Sequence, residues 1–266
     1  MTIQLYGFST YAQSLVIIHV LKELGLSYEV IQPASLEEMK SPEYLATKHP
    51  FGKMPILNDD GFQIYETRAI VRYLVHKYQG TKTSNVLIPS DVQKAALVEQ
   101  FISVEANYYN QPLAKMLTQL ILAKKLGNEP DLKIVNEARE ELDKNLDVYE
   151  KLLEGKDYLT GEFSLVDFLH IPSTYYAFKA GEGELWNKRP NVSRWWKNIS
   201  ERESWKSIVT EYKLDEKDYL TEEFSLADLH HIPFAFYAIS IAGEVDLLNK
   251  HHNVSRWLKN IRERQY

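Results

Sequence analysis

Side chains able to act on a small molecule gather in a few short runs of this chain. YGFSTYAQ (Tyr6–Gln13) sets the hydroxyls of Ser9, Thr10 and Tyr11 side by side, just ahead of an apolar stretch. Serine and threonine in that position are also ordinary helix caps, so type alone leaves two readings open. HPFGKMP (His49–Pro55) ends in Met54-Pro55, and a proline after an extended residue is equally a plain turn residue. YETRAI (Tyr65–Ile70) places Glu66 and Thr67 where a helix should open. The N–H and hydroxyl of Thr67 can receive a carboxylate at the positive helix end, although an acid and a hydroxyl are what any helix start prefers. Lys40 and Lys53 supply cations for an acidic ligand or are simply solvated charge.

Other chemistries are excluded or bland. The chain contains no cysteine, which removes thiol nucleophiles, cysteine-based zinc sites and every disulfide. His230-His231 and His251-His252 are neighbours that point about 100° apart on a helix and have no acidic cluster beside them, so no metal is expected. Gly181-Glu182-Gly183 lacks a preceding strand and a phosphate-loop lysine and is expected to be a turn. Ser164-x-x-Asp167, repeated as Ser225-x-x-Asp228, is a capping box whose role is folding. Phe8, Tyr108, Tyr109 and Tyr175, with Phe178, are candidates to line an apolar pocket; core packing is the equal alternative.

Elements to hold these groups follow from periodicity. IQLYG (Ile3–Gly7) and YEVIQ (Tyr28–Gln32) have the length and composition of strands. Between them Leu15, Ile18, Leu21 and Leu24 are spaced as on a helix, ended by Gly25. Ser35–Thr47 is expected to be a charged, exposed helix. PILND and FQIYE flank Asp60-Gly61, a hairpin signal, and Thr67 opens a helix with Ile70, Val71, Leu74 and Val75. This βαβαββα order predicts a small sheet with helices on it over residues 1–80. A Thr/Lys/Ser/Asn-rich linker follows at 81–90 and an all-helical domain at 91–212, with long helical segments over Asp91–Lys125 and Pro130–Leu153.

An internal repeat closes the chain. KDYLTGEFSLVDF from Lys156 recurs as KDYLTEEFSLADL from Lys217, and NKRPNVSRWWKNISER from Asn187 as NKHHNVSRWLKNIRER from Asn249. Residues 213–266 are therefore a second copy of the 156–202 segment, too few units for a solenoid. Its apolar residues, among them Leu220, Phe224 and Trp257, favour extra helices over a disordered remnant.

HPFGKMP followed by YETRAI resembles the glutathione-binding half of the glutathione transferases, nearest to the phi class of plants and its fungal relatives. VEANYYNQPLAK (Val104–Lys115) is similar to the start of that family's helical domain. The resemblance covers roughly residues 1 to 212. It implies a thioredoxin-like α/β amino-terminal domain, an all-α carboxyl-terminal domain, glutathione as substrate and a homodimer. It also implies a cis proline at Met54-Pro55 that presents the Met54 backbone to the cysteinyl part. Glu66 would take the α-amino group, Thr67 the γ-glutamyl carboxylate, and Lys40 and Lys53 the glycyl carboxylate. Phi-class enzymes stabilise the sulfur with a serine at the first helix; the ungapped match puts Tyr11 there, with Ser9 and Thr10 just before it. Met39 stands where the family has histidine, and Lys53 where it has glutamine. The activating hydroxyl is expected among Tyr11, Ser9 and Thr10.

The net charge of −6, spread along the chain, argues against nucleic acid as a partner. Leu15–Leu21 is too short to span a bilayer, and the absent cysteines suit a reducing, cytoplasmic compartment. The expected function is conjugation of glutathione to small hydrophobic electrophiles. The rival is a non-catalytic carrier of hydrophobic ligands, or a transferase-like interaction module.

Overall fold

The computed structural model describes residues 3–35, 38–124 and 128–215. Four strands form one sheet in the order β2-β1-β3-β4, with β1 (Ile3–Tyr6) parallel to β2 (Tyr28–Ile31) and antiparallel to β3 (Ile56–Asp59). β3 and β4 (Phe62–Tyr65) are the expected hairpin, closing on Asp60 and Gly61 at φ of 54° and 91°, the two left-handed residues such a turn requires. α1 (Ala12–Glu23) and α3 (Thr67–Tyr78) pack together beside the sheet. This is a thioredoxin-like domain.

The segment expected as one exposed helix over Ser35–Thr47 is different. It is a 3-10 turn at Glu38–Lys40 and a short α2 (Pro42–Thr47), separated by Ser41, whose hydroxyl accepts from Tyr44 N at 3.1 Å. Pro42 has no N–H to continue a helix from the preceding turn and suits a first helical position. Nor is the segment wholly exposed, since Met39 and Tyr44 are buried beneath it.

After the connection come α4 (Val92–Val104), α5 (Asn110–Leu117), α6 (Leu132–Leu152), α7 (Leu165–Lys179), α8 (Glu184–Asn187), α9 (Pro190–Ser200) and α10 (Glu203–Glu211). The long segment from Asp91 is helical but carries two π-helical turns, Glu105–Tyr109 and Thr118–Ala123. Pro112 explains the first. It cannot donate to the carbonyl of Tyr108, which takes Asn145 Nδ2 instead.

α7 is the buried spine, and its capping box forms as expected: Asp167 Oδ2 accepts from Ser164 N at 2.9 Å. Asp167 also accepts from the indole of Trp195 at 2.9 Å. Gly181, at φ 88°, turns the chain out of α7. α1 lies between α3 on one side and α7 and α10 on the other, which is why it is apolar on nearly all faces. His19 of α1 sits against the rings of Phe168 and Trp205, and Glu23 accepts from Arg202 and Ser204, joining the two domains. Burial and the Arg202 charge hold His19 well below the usual histidine range, so it is neutral.

The core runs on past Tyr212. Leu214 is fully buried, and Asp215 accepts from Tyr175 and pairs with Lys179, both at 2.7 Å. The 156–202 copy thus packs in the helical core, whereas Ser225-x-x-Asp228, both histidine pairs and the rest of the second copy lie outside the described residues.

Candidate active site

Sheet register gathers the chemistry. Tyr6 ends β1 opposite Ile56, which begins β3 and faces Tyr65, the last residue of β4. The turn after Tyr6, the loop before Ile56 and the start of α3 after Tyr65 therefore leave the sheet at one end. Gly7 is needed there: a Cβ would come within 2.6 Å of Ser14 Oγ and 3.6 Å of Pro55 Cβ. The Met54-Pro55 bond is cis. Lys40 Nζ donates to Gly52 O at 3.1 Å and Tyr44 OH to Lys53 O at 2.8 Å, so α2 and its preceding turn support this loop. Gly52 has φ 59°, and a Cβ on it would meet Met39 O at 2.6 Å.

Glu66, at φ 74° and ψ 112°, holds a backbone conformation that a non-glycine residue adopts at a cost of about 1–3 kcal/mol. Such strain is typical of sites where the side chain is required. The Glu66 side chain makes no capping bond to α3, whose first turn carries no acid. Thr67, the first residue of α3, is 6% exposed.

His49, which sequence reasoning did not single out, is central to this cluster. It is 2% exposed, its ring lies 4.4 Å from that of Tyr65, and its Nδ1 accepts from Phe51 N at 3.2 Å. Burial lowers its pKa; Glu66 opposes the shift, while Lys53 and Lys40 add to it. All three charges thus act on this imidazole, the two cations disfavouring and the anion favouring its protonation. The signal in sequence was only a histidine two residues before Phe51.

In the opposing turn, Tyr11 N donates to Phe8 O at 3.1 Å. Tyr11, not Ser9 or Thr10, occupies the capping position of α1, and its side chain makes no capping bond. Its half-buried ring packs against the cluster of Phe8, Met39, Tyr44, Met54 and Ile56. Of the three candidate hydroxyl residues, Tyr11 is thus packed against the residues of the Met54-Pro55 loop.

Sequence models of the glutathione S-transferase N-terminal and C-terminal domains match residues 1–76 and residues 110–203 and 208–265. The chain belongs to the glutathione S-transferase family. It is similar to a glutathione S-transferase of Arabidopsis thaliana, 37% identical over 77% of this chain and 95% of that protein. One of Hypomyces subiculosus is 37% identical over 79% and 99%. Among solved structures, a glutathione transferase of Populus trichocarpa superposes with a TM-score of 0.75 at 30% identity, covering 80% of this chain and 99% of that one. A maize glutathione S-transferase in complex with an atrazine glutathione conjugate gives 0.73 at 32%, covering 80% and 99%. Glutathione is the substrate of this family.

In this transferase the first turn of α3 is tied to the helical domain by Arg68, which pairs with Glu105 at 2.6 Å on the π-helical turn. Glu105 is buried, and burial pushes its carboxyl up to about 7 against the pull of Arg68. A carboxyl raised in the folded state contributes stability that is full below about pH 4.5 and is lost as pH rises through about 7. Glu105→Gln should remove that slope, worth up to roughly 3 kcal/mol. Thermal melts of both proteins between pH 4.5 and 8 check this; parallel curves would refute it.

The aromatic candidates do not form one pocket. Tyr109 is 1% exposed in the helical core, its hydroxyl shared by Thr174 and the Trp186 indole. Phe178 stacks on Trp196 at 5.1 Å, Tyr175 packs against Trp205, and Tyr108 is 59% exposed. Phe8 is buried under the Met54 loop. The helical period that placed these residues on helices could not say which faces the neighbouring helices would cover. Among the described residues of the transferase, no group of three or more acidic or histidine side chains could hold a metal, and no helix is long and apolar enough to cross a membrane.

Proposed function

We propose that this phi-like transferase conjugates glutathione to small hydrophobic electrophiles through a thiolate stabilised by a hydroxyl of the Ser9–Tyr11 turn. The observation that carries the reading is the alignment of Tyr6, Ile56 and Tyr65, which brings three loops of complementary chemistry to one sheet end. The Met54 backbone beside Pro55 receives the cysteinyl part as a strand edge receives a peptide. Glu66 takes the α-amino group and the α3 start at Thr67 the γ-glutamyl carboxylate. Lys40 and Lys53 face the glycyl carboxylate.

The hydroxyl donates to the sulfur, lowers the thiol pKa and lets the proton leave to solvent at neutral pH. Tyr11 leads among the three because its ring packs against the cluster that contains Met54. With a chloro-nitro-aromatic substrate the sulfur attacks the ring carbon, a C–S bond forms, and chloride departs with the C–Cl electron pair. The protein acts as a homodimer in the cytoplasm, in keeping with its family and its lack of cysteine.

Turnover of a chloro-dinitro-aromatic with glutathione tests the proposal. Among Tyr11→Phe, Ser9→Ala and Thr10→Ala, one should lower kcat by about a hundredfold, the scale of losing a donor to a developing anion. Glutathione binding without turnover by the unaltered protein would make it a carrier instead.

A further inference from the structure

The turn that carries Ser9, Thr10 and Tyr11 is not held by its own domain alone. The hydroxyl of Tyr176, on α7, donates to the carbonyl of Thr10 in a short hydrogen bond between residues far apart in the chain. Tyr176 is 7% exposed and belongs to the buried spine of the helical domain, anchored at its start by the Ser164 and Asp167 box. Its donor therefore has a fixed origin.

Other bonds across the domain boundary leave from elsewhere. Lys22 pairs with Glu211, His19 with Ser204, Glu23 with Arg202, Tyr28 with Tyr212, and Arg68 with Glu105. None of these touches residues 8–11. They hold the domains together, whereas the Tyr176 bond lands on the turn itself, on the peptide joining Thr10 to Tyr11.

The internal repeat makes the same distinction. Against Ser173, Thr174, Tyr175, Tyr176 and Phe178 the second copy has Phe234, Ala235, Phe236, Tyr237 and Ile239. The three hydroxyls just before it, those of Ser173, Thr174 and Tyr175, are gone, and the one at the Tyr176 position is kept.

We propose that Tyr176 is a positioning residue for sulfur activation, its phenol fixing the Thr10 carbonyl and so the direction of the hydroxyl that donates to the glutathione sulfur. The proposal rests on the reading that a hydroxyl of this turn activates the thiol. Without the bond, the Thr10 carbonyl turns toward water and the turn relaxes. The cradle made by Lys40, Lys53, Glu66 and Thr67 belongs to other segments, and the substitution leaves its residues in place.

The experiment is Tyr176→Phe, which keeps the ring and removes only the donor. The thiolate of bound glutathione is titrated by its ultraviolet absorbance in both proteins, alongside the pH profile of chloro-dinitro-aromatic turnover, the glutathione KM and the melting temperature. Expected are an alkaline displacement of thiol titration and acid limb by about one pH unit, and about a tenfold lower kcat at neutral pH, the scale of one hydrogen bond. KM should stay within about twofold, since the binding groups are intact. An unmoved titration in Tyr176→Phe, with or without a lower melting temperature, overturns the positioning role. Bound glutathione that titrates like free glutathione in the unaltered protein overturns the activation reading itself, and the positioning role with it.

Discussion

Asp167→Ala is expected to cost about 3–5 kcal/mol, enough to leave a domain of ordinary stability largely unfolded at growth temperature. Asp167 is fully buried, and its two oxygens serve different donors: one the Ser164 N–H and the other the Trp195 indole, each at 2.9 Å. Alanine leaves both donors in the core without an acceptor. Each orphaned donor costs about 1–3 kcal/mol, and the cavity adds to it. The carboxylate also stitches α7 to α9, so α7 loses its cap and its contact with the next helix together. Asp167→Asn keeps one acceptor and should lose about half as much. Denaturant unfolding of the three proteins measures this, and an alanine variant within about 1 kcal/mol of the parent would show that the box is dispensable.

The second large effect concerns Thr67. Thr67→Ala is expected to weaken glutathione binding by about 1–3 kcal/mol, roughly tenfold to a hundredfold, the range for losing a hydrogen bond to a charged group. Thr67 is nearly buried, yet it is the first helical residue and not the cap, so removing its hydroxyl should leave α3 formed. Thr67→Ser keeps the donor and should restore most of the affinity. Titration calorimetry at fixed salt gives all three values. Equal affinities for parent and alanine variant would remove the carboxylate from this helix end and send it to Lys40 or Lys53.

Both variants sit where pattern and structure agree, because each motif is local. The hairpin at Asp60-Gly61, the capping box and the α3 start involve residues within a few positions of one another, and their geometry follows from backbone sterics and short-range hydrogen bonds. Periodicity also found α1, α3 and α6, since a buried face recurs every 3.6 residues whatever covers it. It misjudged Ser35–Thr47, where charged residues alternate with Met39 and Tyr44 and a Ser-Pro step breaks the helix. Leu214 is buried as well, and nothing local marks it as a core residue.

Local pattern sufficed for the order of elements, the exclusion of cysteine chemistry and the resemblance to glutathione transferases. Which segments and side chains meet follows from tertiary contacts instead. The gathering of the segments after Tyr6, before Ile56 and after Tyr65 at one sheet end depends on strand register, and a register is a pairing between segments distant along the chain. The sorting of Tyr109 into the core, Phe178 onto its edge and Tyr108 into solvent depends on which helix faces which. The bond from Tyr176 to Thr10 spans the two domains. Short-range propensity carries no information about such contacts, since their free energy is gained only after the intervening chain has been ordered.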